Sequence, residues 1–283
     1  MIIRPSSLAA WNDCARRAAA SLFRTEVFNA GYSLRRTTNN VGASIGTATH
    51  AAARHALEAI ADSGKLCAVG DAVENGVEAY RSDISHGVLF DSVTANNNTA
   101  EKQIERMAKV WYAANEAGTA PVMIEKRLEA DLGDGFILSG QVDLVANDPD
   151  NLRRGLALRD LKTGQKISSY LFQLGAYSLI LRTHDWAVTR LVADFIPRVG
   201  LNRAVGGVVE IEQPQPLAEQ SATDVIIDIK SSLRRFEKRL KTGAAAPEGA
   251  FRANPMSLLC GEKFCPAWGT NFCKVWRIGD IDG

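Results

Sequence analysis

The spacing of apolar and polar positions changes period along the chain. Residues 6–24 open with Ser6 and Ser7, which can cap a helix, and carry Leu8, Trp11 and Ala15 at helical spacing. Residues 46–62, GTATHAAARHALEAIAD, are alanine-rich and enter at Gly46, which predicts a second helix. The polar run 92–99, SVTANNNT, reads as a surface loop. Beyond it Ile104, Met107, Val110 and Trp111 mark a third helix. From residue 121 the repeat shortens to two. In PVMIEKRLEADL, Val122, Ile124, Leu128, Ala130 and Leu132 alternate with Met123, Glu125, Arg127, Glu129 and Asp131, the pattern of a strand with one buried face, broken only at Lys126. Gly133-Asp134-Gly135 turns the chain into FILSGQVDLVA, and Asp148 to Asn151 turns it again into GLALRDLK, so an antiparallel meander is expected. The helical period returns in SSYLFQLGAYSLILRTH with Ser168 and Ser169 as caps. The strand VTRLVADFIP follows, with a hairpin turn at Gly206-Gly207. A long helix over about 218–241 aligns Ile226, Ile229, Leu233, Phe236 and Leu240 on one stripe. GAAAPEGA at 243–250 reads as a linker, and neither an internal repeat nor a long heptad run is present.

This pattern places chemistry at one end of a sheet. Residues two apart in a strand share a face, so Asp160 and Lys162 point together while Leu161 packs behind them. Asp143 lies on the preceding strand, 17 residues earlier, where a hairpin brings it beside Asp160. Two anionic oxygens in that position suit Mg²⁺ or Mn²⁺. A compact ammonium can hold an attacking water or stabilise charge developing on a phosphate. These are the parts of a metal-assisted phosphodiester hydrolysis. Each also has a plainer reading. Asp160 and Lys162 could be an exposed ion pair, His50 a helix-face histidine, and Gln173 and Tyr177, four apart, simple packing partners. His55, His86 and His184 have no motif around them and read as structural or surface residues.

Composition narrows the partners. The chain has 283 residues, 46% hydrophobic and 23% charged, enough for one large domain or two small ones. With 33 Lys+Arg against 32 Asp+Glu, the net charge of +1 excludes a general attraction to nucleic acid, so any DNA-binding surface is a local patch. The candidates are Arg16, Arg17, Arg35 and Arg36 with Arg234, Arg235 and Lys238 on the polar side of the long helix, the alternative being a solvated face. No run of 18 apolar residues appears, and MIIRPSSLAAW does not read as a signal peptide, so a cytoplasmic location is expected. A G-x-x-x-x-G-K-[ST] loop is absent from the sequence. Five cysteines in a reducing compartment suggest metal binding or burial rather than disulfides. Cys14 stands early, Cys260, Cys265 and Cys273 crowd the end, and Cys67 reads as a small buried hydrophobe.

GQVDLV followed by LRDLKTG resembles the PD-(D/E)XK nuclease superfamily. Gly46-Thr-Ala-Thr-His50 resembles the G-x-x-x-H motif of its RecB-type branch, and Gln173-Leu-Gly-Ala-Tyr177 its Q-x-x-x-Y motif. Glu125 takes the place of an acidic residue on the first core strand, and SSLAAWNDCARR is similar to the family's opening. The resemblance implies an α/β, restriction-endonuclease-like core with a mixed central sheet flanked by helices. It implies one nuclease domain over 1–283, with a helical part to residue 120, a catalytic core to 200, and a hairpin, basic helix and cysteine tail beyond. It implies His50, Asp143 and Asp160 as metal ligands, with Asp143, Asp160, Lys162, Gln173, Tyr177 and Glu125 as the catalytic set.

One early and three late cysteines are similar to the iron–sulfur members of that branch: AddB, the CRISPR adaptation nucleases and exonuclease V. A [4Fe–4S] cluster on Cys14, Cys260, Cys265 and Cys273 is implied. The spacing departs from theirs, with four and then seven residues between the late cysteines. Zinc on the same thiolates, or free cysteines, are the alternatives. Trp268, Phe272 and Trp276 nearby could stack on bases or pack around the cluster. The function implied is a DNA exonuclease on single strands or DNA ends, bacterial or phage-encoded, in recombination or repair beside a helicase or recombination partner. An endonuclease with the same core and a non-catalytic DNA-end-binding subunit are the alternatives.

Overall fold

A computed structural model describes residues 1–116, 118–148 and 155–274. In chain order it contains β1 (Ile2–Ile3), α1 (Ser7–Asp13), α2 (Ala15–Leu22), α3 (Arg24–Asn29), α4 (Val41–Ser63), α5 (Val69–Asp83) and α6 (Asn97–Asn115). Then follow β2 (Pro121–Asp131), β3 (Ile137–Asn147), β4 (Leu156–Gly164), α7 (Leu171–Thr183), β5 (Val188–Pro197), β6 (Val209–Gln213) and α8 (Gln215–Lys241). The six strands form one mixed sheet in the order β1-β3-β4-β5-β6, with β2 also paired to β3. The expected meander is present: β2–β3 and β3–β4 are antiparallel. β4 and β5 run parallel, as the α7 crossover requires.

One edge of β3 is shared. β1 pairs with Ile137 and Leu138, and β4 with residues 144–147. Between them, among the described residues, neither strand pairs with 139–143, and side chains enter the gap. Arg4 donates to the Ser139 hydroxyl at 2.8 Å, and Asp143 accepts from the Leu161 backbone N–H at 2.9 Å. The site lies where β3 and β4 part.

Helices cover both faces of the sheet. One apolar cluster joins α1–α3, α7 and α8 to the sheet and to the tail, with Trp11, Phe23, Phe236, Phe251 and Phe272 fully buried. The Phe236 and Phe251 rings lie 5.0 Å apart. The other packs α4, α5 and α6 on Leu144, Ala146, Leu161 and Ile196. α7 and α8 cross so closely that a Cβ on Gly175 would fall 2.0 Å from the Ala218 carbonyl oxygen. Among the described residues no helix is long and apolar enough to cross a membrane.

Several elements differ from the sequence pattern for local reasons. The helix expected over 6–24 breaks at Cys14, which is extended (φ −149°, ψ 98°), and continues as α2 and α3. The second helix begins earlier, at Val41, because the Asn40 side chain accepts from Ala43 N–H and caps it. α5 was not anticipated; its buried residues include Ala72, Gly76 and Tyr80, a four-residue repeat too small to read as an apolar stripe. The loop over 92–99 ends at Asn96, which caps α6, and its Thr94 is fully buried rather than on the surface. Ser168 and Ser169 do not cap α7, whose N-cap position is Tyr170.

In β2 the alternation reverses at its start: Met123 is buried and Val122 exposed, because of a bulge between Pro121 and Met123. Gly206-Gly207 sit in a connection spanning 198–208, too long for a tight hairpin. The segment 243–250 is not a linker: it contains a 3₁₀ turn at Pro247–Ala250, and Ala250 and Phe251 are buried. Cys67 is only half-buried, at the rim of the second cluster. Most of the Asp148–Asn151 turn lies outside the described residues.

Candidate active site

α4 runs over the point where β3 and β4 diverge, and small side chains on its exposed face keep a groove open. The groove has a volume of about 870 Å³ and is lined by Gly42, Ala43, Gly46, Thr47, His50 and Arg54 of α4, with Glu125, Gln141 and Lys162 among the strand residues. The long helix fixes His50, and the sheet ladders fix the carboxylates opposite. His50 Nδ1 lies 3.3 Å from Asp143 Oδ2 and 3.8 Å from Glu125 Oε1. One donor atom from each of these three residues lies within 4.8 Å of the others. Glu125 faces this cluster from a left-handed backbone conformation, φ +44°.

Asp160 is almost fully buried beside them. Its Oδ2 lies 2.6 Å from Lys162 Nζ, and its Oδ1 accepts from Gln173 Nε2 at 3.3 Å. Gln173 also donates to the Tyr177 hydroxyl at 3.4 Å. The Tyr177 ring packs against backbone: a Cβ on Gly140 would come within 2.6 Å of it. The Gly140 of GQVDLV and the Tyr177 of Q-x-x-x-Y are therefore direct packing partners.

Burial works against a charge on His50, but the Asp143 carboxylate and then Glu125 push its imidazole up to about 9. Burial pushes Asp143 up to about 7, with Asp160 and Glu125 adding to it against His50 and Lys162. Burial also opposes the Lys162 ammonium, yet Asp160 and Asp143 hold its pKa above the usual lysine range. For Tyr177, burial and the two aspartates keep the hydroxyl protonated well above the usual phenol range. A cluster holding this much negative potential, with one carboxyl pushed up toward neutrality, fits a hard divalent cation that displaces the protons on binding.

The expected set His50, Glu125, Asp143, Asp160, Lys162, Gln173 and Tyr177 is thus assembled in one place. Within it, the close donor group is His50 with Asp143 and Glu125, whereas Asp160 is engaged by Lys162 and Gln173. Two groove residues were not anticipated. Arg54 lies four residues after His50 on the same helix face, and Gln141 two before Asp143 on the same strand face. Those spacings were the available signal.

The four expected cysteines also converge. Cys14, Cys260, Cys265 and Cys273 line one small cavity with Arg17, Ser257 and Trp268. Burial pushes the Cys265 thiol up to about 11, and Cys273, Cys14 and Cys260 add to the shift. Among the described residues no three cysteine sulfurs come within 4.8 Å of one another. Tetrahedral zinc would draw them to about 3.8 Å, given Zn–S bonds of about 2.3 Å. The chemistry of the donor set fits a thiolate-bound metal.

The basic residues proposed for DNA are placed elsewhere. Arg17 is buried, paired with Asp13 at 2.8 Å and bonded to Ser257, and Arg16 donates to the Phe251 and Glu248 carbonyls, so both hold the tail. Arg35 pairs with Glu262, and Arg36 is exposed. Arg234 pairs with Asp134 at 2.5 Å, Arg235 donates to Ser232, and Lys238 is exposed. None of these residues lines the groove. Phe272 is fully buried, so it is core rather than a base-stacking surface; Trp268 lines the cysteine cavity, and Trp276 lies outside the described residues.

A family profile described as the PD-(D/E)XK nuclease superfamily matches residues 4–273. Among solved structures, one from Eubacterium rectale bearing the name "putative exonuclease" superimposes with a TM-score of 0.52 at 14% identity, covering 92% of this chain and 86% of that one. Another, SSO0001, overlaps 68% of this chain and 76% of its own at 10% identity, with a TM-score of only 0.27. No curated protein matches the sequence.

Proposed function

This chain belongs to the PD-(D/E)XK nuclease superfamily, whose members are metal-dependent nucleases, and from that premise we propose a DNA exonuclease of the RecB/AddB type acting on single strands or DNA ends. The observation that carries the reading is the cluster of His50, Glu125 and Asp143 donor atoms beside the buried Asp160–Lys162 pair. His50, Asp143 and Asp160 would hold Mg²⁺ or Mn²⁺, with Glu125 as a further carboxylate ligand. A bound divalent ion supplies Lewis-acid stabilisation of negative charge on the phosphate.

The chain's own side chains do the rest. Asp160 holds Lys162 in place, and the ammonium orients the attacking water or meets charge developing on a phosphoryl oxygen. Gln173 and Tyr177 fix Asp160 from behind. Arg54 offers the groove a phosphate contact. The open groove beside His50 and Lys162 gives a DNA strand a path to these residues. A helicase or recombination partner supplying such strands belongs to the same proposal, within recombination or repair. The second part is a [4Fe–4S] cluster on Cys14, Cys260, Cys265 and Cys273, supported by the convergence of four thiols on one cavity.

The deciding assay supplies Mg²⁺ or Mn²⁺ with end-labelled linear single-stranded, linear double-stranded and circular DNA. Degradation of linear single strands with circles left intact is expected. Cutting of circles would make it an endonuclease with the same core. No cleavage of any substrate would overturn the nuclease reading.

A further inference from the structure

Three non-glycine residues among those described have positive φ: Asp134, Asp185 and Glu125. Asp134 lies in the Gly133–Gly135 turn and Asp185 just beyond α7, where such conformations are ordinary. Glu125 is inside a strand. A glutamate has no intrinsic reason to take up a left-handed backbone there, so its neighbours must impose it.

The neighbour that reaches it is Gln141. Its Nε2 donates to Glu125 Oε2 at 2.6 Å, and its Oε1 accepts from Arg127 Nη2 at 3.3 Å. Arg127 and Gln141 are cross-strand partners on β2 and β3. A guanidinium on one side and a carboxylate on the other leave the amide one sensible orientation, oxygen toward Arg127 and nitrogen toward Glu125. With Oε2 engaged, Glu125 turns Oε1 to His50. Gln141 lies two residues before Asp143, so β3 carries both a member of the donor cluster and the clip that aims another.

We propose that Gln141 is a positioning residue that fixes Glu125 as an additional protein ligand of the divalent ion and thereby sets the affinity for that ion. The proposal rests on the metal-dependent nuclease reading. Partners that orient a ligand typically change metal affinity by about 10–100-fold when removed. A residue serving only to staple β2 to β3 would change stability and leave affinity alone.

The test titrates Mn²⁺ into the full chain by calorimetry or Mn²⁺ spin resonance, without DNA, alongside melting of the metal-free protein. The variants are Gln141→Met, Gln141→Ala, Glu125→Ala, Asp143→Ala and the Gln141→Met/Glu125→Ala pair. Gln141→Met should weaken Mn²⁺ binding about tenfold or more with an unchanged melting temperature. In the Glu125→Ala background the same change should have no further effect. Gln141→Ala removes the amide altogether; it should weaken binding as well, and it stands in should Gln141→Met fail to fold. Wild-type affinity in the Gln141 variants while Asp143→Ala abolishes binding overturns this inference alone, as do losses that simply add in the double variant. No Mn²⁺ binding by the unaltered protein overturns the metal reading and this inference with it.

Discussion

The groove beside α4 and the cavity beneath the tail both gather residues far apart in sequence, and they do so by opposite means. His50 sits inside a 23-residue helix, and Glu125, Asp143, Asp160 and Lys162 sit on strands of 9 to 11 residues. Each is held by regular hydrogen bonding on both sides in sequence, so the groove is built without needing its ion. Cys14 instead occupies a break between two short helices. Cys260, Cys265 and Cys273 stand in turns closed by single bonds, from Cys260 N–H to Ser257 and from Cys265 N–H to Gly261. That tail is tied down by the buried Phe251 and Phe272, by backbone bonds from Arg16 and Arg35 N–H, and by side chains: Asp13 and Arg17 on Ser257, Arg16 on the Phe251 carbonyl, and Tyr32 on Glu248. Chemistry placed on long regular elements survives loss of its ligand, whereas chemistry placed on turns shares its stability with whatever the turns bind.

The largest effect expected from that contrast is on catalysis with little change in folding. Asp143→Ala and Lys162→Ala should each lower single-turnover cleavage by at least about 10²–10³, the scale of losing one electrostatic stabiliser at a reacting group. Melting of Asp143→Ala should be nearly unchanged, since removing one carboxylate from a cluster that also holds Glu125 and Asp160 relieves repulsion, whereas Lys162→Ala leaves the buried Asp160 without its counter-charge and should melt lower. Lys162→Arg should not rescue, because a planar fork cannot replace a compact ammonium against Asp160. Undiminished cleavage by the Asp143→Ala protein would sink the site.

Next comes an effect on folding. If the four thiols share a metal centre, Cys14→Ala should lower the melting temperature of anaerobically prepared protein by about 10 °C, because a metal held only by the folded chain stabilises it by mass action. Cys67→Ala, outside the cavity, should be mild. Iron and sulfide in equal amounts identify the cluster and zinc identifies the alternative. Neither metal, with Cys14→Ala as stable as the parent, would leave packing thiols and erase the contrast.

How much of this was legible in the sequence follows the same division. β2, β3, β4, α7, β5 and α8 carry strong apolar periods, and their residue types and approximate limits could be read directly. So could the placement of Asp143 beside Asp160, since alternation on adjoining antiparallel strands leaves little freedom. What escaped depends on contacts that spacing does not encode. α5 packs through small residues, the Asn40 cap lengthens α4, and a bulge inverts the first residues of β2. Glu125 sits in the cluster with a left-handed backbone and a hydrogen bond from Gln141 on the next strand, which no pattern along β2 reveals. The basic residues of α8 show what spacing leaves out, since which of them meet a carboxylate depends on neighbouring elements. Here Asp134 and Asp228 take up Lys230, Arg234 and Arg235.

The smallest effect expected therefore distinguishes the groove's cation from those of α8. Arg54 is half-exposed, and its partner Glu58 is 3.7 Å away on the same helix, a pairing worth little in water. Its side chain lines the groove one turn from His50, where a strand entering the site would bring its phosphates. Arg54→Ala should weaken binding of short single-stranded DNA severalfold and reduce the salt dependence by about one counterion, as for a single phosphate contact. Arg235→Ala removes an equal charge from a face that does not line the groove and should leave both affinity and salt slope unchanged. The measurement is a fluorescence-anisotropy titration at several salt concentrations, with Ca²⁺ in place of the catalytic ion so that the DNA stays whole. A larger loss in Arg235→Ala than in Arg54→Ala would move the DNA path off the groove and onto α8.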